Sequence, residues 1–153
     1  MSFQPEYSPK EKAVVTELAR LPGSPLEPQL RAYMEEHFAR KLDKVRLHTG
    51  PRADNYARSL GARAFTWGSH IVFAAGRYKP DTDEGLWLLA HELAHFIQQS
   101  RGMADEVIDA PLSLLEREAD RVADIIAAGG SLRSEYNFGK APFGAIQLRS
   151  AHH

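Results

Sequence analysis

His91-Glu92-Leu93-Ala94-His95 sets two imidazoles four residues apart, with a carboxylate beside the first. On an α-helix this spacing stacks both rings on one face, a turn apart, where they can grip a single divalent ion. It also sets Glu92 beside them, toward the ion's open coordination position. Zinc held by three protein ligands keeps a fourth position for water, lowers that water's pKa to roughly 7 and polarises a carbonyl, while a neighbouring carboxylate takes the proton. Together these are the parts of peptide-bond hydrolysis. The plain alternative is a pair of ordinary helix histidines, one packed in the core, since roughly one chain of this length in a few hundred acquires the pattern by chance.

The chain has no cysteine, so a transition-metal site must use His, Asp and Glu. Arg101 stands six residues past His95, where a third histidine would complete a longer motif, which leaves a carboxylate as the third ligand. Glu116, Glu118 and Asp120 lie far enough downstream for the chain to turn back and lay their helix beside the first. Glu116 borders the apolar stripe of Leu115, Ala119 and Val122, whereas Glu118 is expected to point to solvent between Arg117 and Arg121. A carboxylate beside a core needs a partner, and a metal is one. Glu116 has a competing use, because Ser113-Leu114-Leu115-Glu116 is itself a capping box. Asp120, one turn on, can accept a hydrogen bond from a ligand histidine and fix its tautomer, or pair as a surface charge with Arg117 or Arg121. The expected set is one Zn²⁺ on His91, His95 and Glu116, with Glu92 as general base and Glu118 or Asp120 as the open alternatives for the third ligand.

The elements that must position these residues are marked by caps and periodicity. Ser8-Pro9-Lys10-Glu11 and Ser24-Pro25-Leu26-Glu27 each read as a capping box with a first-turn proline, predicting two N-terminal helices within 9–40. The first carries Val14, Val15 and Leu18, and the second carries Leu30, Tyr33, Met34, His37 and Phe38 as its apolar stripe. Val45 to His48 alternates as a strand, Pro51 to Leu60 reads as a short helix closed by Gly61, and Ala64–Trp67 and His70–Phe73 flank Gly68-Ser69 as a hairpin. A sheet region over 45–75 follows. The active helix spans 84–100 and stops near Gly102. The acidic-ligand helix, 112–128, starts between Asp109 and Ser113 and buries Leu112, Leu115, Ala119, Val122 and Ile126. The fold class is α+β, mostly helical, with a small twisted β-sheet packed on the HExxH helix. Residues 1–130 form a single domain and 131–153 a C-terminal tail with a weak strand at Ala145–Leu148.

Composition excludes several classes. The 153 residues fit one compact domain. A net charge of -1 and a pI near 6.7 give no reason to expect nucleic acid or an anionic membrane as partner. The start lacks the basic stretch and apolar run of a signal peptide, and nothing approaches the ~18 apolar residues of a spanning helix, so no membrane insertion is expected. The terminal His152-His153 pair carries no functional weight.

With these residues in place, the chain resembles the core-domain family of extracellular contractile injection systems, a group of gluzincin-like metallopeptidases. The resemblance spans about Leu26 to Ala128. It rests on Val45-Arg46-Leu47-His48-Thr49, on Gly61 to Thr66 followed by Gly68 and Ile71-Val72-Phe73, on Leu88 to His95 with Gln98-Gln99, and on Glu116-Arg117-Glu118-Ala119-Asp120. Where family patterns carry an acidic residue after the His-Thr pair, this chain has Gly50-Pro51.

The resemblance implies a compact zincin-like domain whose acidic block supplies the third ligand, and its E-x-x-A-D form favours Glu116 over Glu118. It implies a bacterial cytoplasmic protein, with delivery outside by the injection system as an option, and components of that phage-tail-like system as partners besides an extended peptide or protein substrate. His48 and Tyr78 fall within the resemblance as candidate oxyanion donors. In zincins generally the strand nearest the active helix pairs with substrate, and His70–Phe73 is the segment expected there. Two other readings stand beside the enzyme: a low-activity or inactive zinc-binding scaffold that docks cargo or tail components, and a chain whose own 145–149 strand lies in the cleft as cis substrate or plug.

Overall fold

The computed structural model describes residues 6–104 and 111–150; Asp109, His152 and His153 lie outside them. In chain order the elements are α1 (Pro9–Leu18), α2 (Pro28–Phe38), β1 (Arg46–His48), α3 (Pro51–Ser59), β2 (Ala62–Trp67), β3 (His70–Phe73), α4 (Asp83–Ala104), α5 (Leu112–Ala127) and β4 (Ile146–Ser150). The protein is α+β, with five helices and one small mixed sheet among the described residues. No described helix is long and apolar enough to cross a membrane.

Strand order is β1-β3-β2-β4, with β1 parallel to β3 and the other pairs antiparallel. The β2–β3 hairpin turns through Gly68, at φ 61°, with Trp67 opposite His70. Period-two alternation divides the side chains between two cores. Ala64, Ile71 and Phe73 join the larger core under α2, α4 and α5, while Phe65 and Val72 join a smaller one with Val14 and Leu18 of α1 and Tyr56 and Ala57 of α3. The sheet is thus sandwiched, with α4 across one face. β3 is an interior strand between β1 and β2, so His70–Phe73 is not the substrate-pairing edge expected by analogy with zincins; β4 takes the edge beside β2. Residues after 130 belong to the same core, since Leu132 and Phe138 are buried in it and β4 completes the sheet.

The capping boxes meet three fates. Ser8 and Glu11 cap α1 reciprocally, at 3.1 and 2.9 Å. Ser24 does not cap α2: its backbone exchanges hydrogen bonds with Leu47, at 2.9 and 2.7 Å, and the helix starts at Pro28 after Glu27. Pairing with the strand segment uses Ser24's backbone where a cap would have used its side chain. Ser113 does not cap α5 either. That helix starts after Pro111, whose carbonyl accepts from Leu114 and Leu115, so Glu116 falls one turn in, with its side chain available to α4. Leu112, expected in the core, is 60% exposed, because the helix packs through Leu115, Ala119, Val122, Ala123 and Ile126 instead. Finally, α4 does not stop at Gly102 but runs through it to Ala104. A Cβ on Gly102 would meet the Ala141 carbonyl oxygen at 1.7 Å, so the glycine admits a crossing segment rather than ending the helix.

Candidate metal centre

His91, Glu92 and His95 lie mid-way along α4 and are buried, at 0, 0 and 1% exposure. The helical turn between the two imidazoles sets their rings edge to face, with centroids 4.6 Å apart. Both Nε2 atoms aim at α5, where Glu116 meets them with one carboxylate oxygen each: His95 Nε2 to Oε1 at 2.9 Å and His91 Nε2 to Oε2 at 3.1 Å. The three side chains present donor atoms within 4.8 Å of one another.

The outer nitrogens show what the inner ones carry. Gln98, one turn past His95, donates through Nε2 to the Leu115 carbonyl and to Glu118 Oε1, both at 2.9 Å. Its Oε1 therefore faces His95 Nδ1, at 2.8 Å. An acceptor there sets the proton on Nδ1 and leaves the Nε2 lone pair pointing at a carboxylate oxygen. Two acceptors at 2.9 Å repel unless a proton or a metal ion lies between them. On donor chemistry and direction, the cluster fits a zinc ion.

His91 is held differently. Its Nδ1 lies 3.1 Å from Glu92 Oε2, while Nε2 faces Glu116 and, at 3.2 Å, Asp120 Oδ1. Burial works against a charged imidazole, but the hydrogen bonds and charges of Glu116 and Glu92 outweigh it and raise the pKa to about 9. Burial likewise disfavours the Glu116 carboxylate, yet the hydrogen bonds and charges of His91 and, with a proton between His95 Nε2 and Oε1, of His95 hold its pKa far below the usual range. Trp87, one turn before His91, stacks on its ring at 5.1 Å and 20°.

Glu92 departs from its expected orientation. Its carboxylate accepts from Thr66 Oγ1 of β2 at 2.8 Å and contacts Nδ1 of His91, and the two ring nitrogens point to different sides. Glu92 thus sits behind His91 and not at the open side of the cluster. Asp120 reaches the same His91 Nε2 that faces Glu116, so the outer nitrogens of the two histidines are partnered by Glu92 and Gln98. Glu118 is not a solvent charge between Arg117 and Arg121. It is 8% exposed and accepts from Gln98, from the Tyr136 hydroxyl at 2.9 Å and from the Gly139 amide at 3.0 Å, because it rides on the flank of the buried stripe one turn before Val122.

His48 and Tyr78 do not come to the cluster. β1 is the sheet edge opposite β4, and the alternation that puts Leu47 in the larger core turns His48 to the other face. There His48 Nε2 pairs with His70 Nδ1 at 2.9 Å, and burial together with that neighbour lowers its pKa to about 4. Tyr78 packs against Phe73 on the larger core.

Four residues at the site have no individual role assigned to them from the sequence. Thr66 and Gln147 lie on the α4 face of their strands, and Gln147 donates to Gln98 Oε1 at 3.1 Å. Arg149 Nη1 donates to Glu116 Oε2 at 3.1 Å and to Asp120 Oδ1 at 3.3 Å. Gln98 is the fourth, and its signal was present: seven residues past His91 and three past His95, it occupies their helix face. A cavity of about 400 Å³ opens beside the cluster, lined by His95 and Glu116, by Leu112 and Ser113 of α5, and by β4 from Ile146 to Arg149.

Fold and site together define a small α+β protein in which two buried histidines and a partly buried glutamate form a cluster that could hold a metal ion. The chain belongs to the eCIS core domain family, whose model matches residues 25–103, a span that holds both histidines of α4 and ends before Glu116. No curated protein and no solved structure matches it. Membership associates the chain with contractile injection systems.

Proposed function

We propose that the chain is a zinc-dependent metallopeptidase domain that cuts an extended peptide or protein, serving a contractile injection system as effector or toxin. The observation that carries this reading is the face-off between His95 Nε2 and Glu116 Oε1, 2.9 Å apart with the histidine proton drawn to the other nitrogen by Gln98. His91 and His95 supply two imidazole ligands and Glu116 an ionised carboxylate. Zinc, when bound there, supplies Lewis acidity toward a carbonyl and toward water.

The remaining work falls to Glu92, which takes the proton of the attacking water and returns it to the leaving amine. To do so its carboxylate must leave Thr66 Oγ1 and His91 Nδ1 and turn toward the cleft. The cavity between α5 and β4 offers room for the substrate, with Leu112 and Ser113 on one side and the strand from Ile146 to Arg149 on the other.

The test compares zinc-loaded wild type with Glu92→Gln on unfolded protein substrates and a mixed peptide library. Both should hold one zinc, and the variant should lose hydrolysis by a factor of about 10² or more. Equal cleavage by both removes Glu92 as the base. The complete burial of Glu92 favours a second reading, a zinc-binding scaffold with little turnover that docks cargo or tail components. Stoichiometric zinc, no cleavage by wild type and stable capture of tail proteins would favour it.

A further inference from the structure

Strand β4 alternates like the rest of the sheet. Ile146 and Leu148 pack on the α1–α3 side, while Gln147 and Arg149 turn to the α4 side. Arg149 thereby reaches the candidate metal centre from an element far from it in sequence. Its Nη1 holds Glu116 Oε2 and Asp120 Oδ1, and its guanidinium lies over the Trp87 ring, 5.1 Å from the centroid. Its Nε is buried and finds no hydrogen-bond partner among the described residues. Burying a guanidinium donor in that state is unfavourable, and the two carboxylates are what offset it.

Glu116 Oε2 is therefore contested. It faces His91 Nε2 at 3.1 Å and Arg149 Nη1 at 3.1 Å, and it is also the oxygen a divalent ion between the histidines and Glu116 would draw on. A doubly charged ion bound there would lie close to a fixed positive charge, in a partly buried setting where solvent screens the repulsion only in part. Both cations stabilise the same acidic residues, and each weakens the other's hold.

We infer that Arg149 is the resident counter-cation of this centre, and that a divalent ion and the docked end of β4 compete for Glu116 and Asp120. Metal loading and release of the C-terminal strand from the cleft are then coupled, by the same factor in both directions. Release concerns the Arg149 end alone, since Ile146 and Leu148 stay anchored in the smaller core. Because that end lines the cavity beside His95 and Glu116, its departure widens the space a substrate would enter. The inference rests on the metal-centre reading above.

Two measurements on the full chain test it. Zinc affinity, by competition with a chromophoric chelator, should be about tenfold tighter or more in Arg149→Met than in wild type, with Arg149→Lys close to wild type. In wild type, saturating zinc should speed amide hydrogen exchange at 149 and 150 severalfold and leave the β2–β3 hairpin unchanged. Equal or weaker zinc binding by Arg149→Met overturns the coupling, as does zinc that slows exchange in β4. Should Arg149→Met fail to fold, the exchange measurement on wild type decides alone. Absence of zinc from every form fells the metal-centre reading itself, a result distinct from zinc bound without coupling.

Discussion

Gln98 Oε1 lies 2.8 Å from Nδ1 of His95, and the other end of the same amide is pinned by Leu115 and Glu118 of α5. One buried side chain thus fixes both the tautomer of a candidate ligand and the approach of the helix that brings Glu116. Gln98→Met keeps the volume and removes every hydrogen bond. Zinc affinity should fall roughly 10- to 100-fold, the usual consequence of removing a ligand histidine's outer partner. Gln98→Glu, which keeps an acceptor toward Nδ1, should lose less affinity. Titration against a chelator of known affinity reads both.

Proton and metal compete for His91. With its pKa raised to about 9 by Glu116 and Glu92 against the opposing effect of burial, the metal-free ring is charged at neutral pH and must lose its proton to accept an ion. Apparent zinc affinity should therefore rise about tenfold per pH unit from pH 7 toward 9 and level off beyond. For the metal-free fold the sign is opposite. A histidine whose folded pKa lies above its unfolded value of about 6.5 adds stability that is complete below 6.5 and is lost as pH rises through 9. Urea midpoints of the metal-free protein between pH 6 and 9.5 should fall accordingly, and His91→Gln should flatten that slope.

Gly102 carries a backbone crossing that no side chain allows. Gly102→Ala would drive a methyl into the Ala141 carbonyl, whose residue is tied to α4 by a 2.9 Å hydrogen bond from Ala141 N to Gln98 O. We expect a loss of about 1–3 kcal/mol or more in unfolding free energy, measured by urea denaturation. An unchanged midpoint would mean that the segment after Phe138 does not press on α4.

What the sequence made legible follows from the range of the interactions involved. His91 and His95 share a face by helical period alone, and Glu116 borders the α5 stripe by the same rule; both are local. The orientation of Glu92 was not legible, because it depends on Thr66, 26 residues earlier on a strand whose neighbours are set by topology. The burial of Glu118 is not legible locally, because its partners, Gln98, Tyr136 and Gly139, come from two other segments. His70–Phe73 reads as well for an edge strand as for a central one, since strand order is decided by β1 crossing over to pair with β3 and by β4 arriving from the C-terminal segment. Arg149 belongs to the same category in part: a 145–149 strand lying in the cleft is one of the sequence readings, but the contact of Arg149 with Glu116 and Asp120 depends on strand order and register.

The account depends on one ion between α4 and α5. Crystals grown with zinc, measured at the zinc absorption edge, test this directly. It predicts a single strong anomalous peak within about 2.0–2.2 Å of His91 Nε2, His95 Nε2 and a Glu116 carboxylate oxygen. No peak at that point, or zinc bound only elsewhere on the chain, would contradict it.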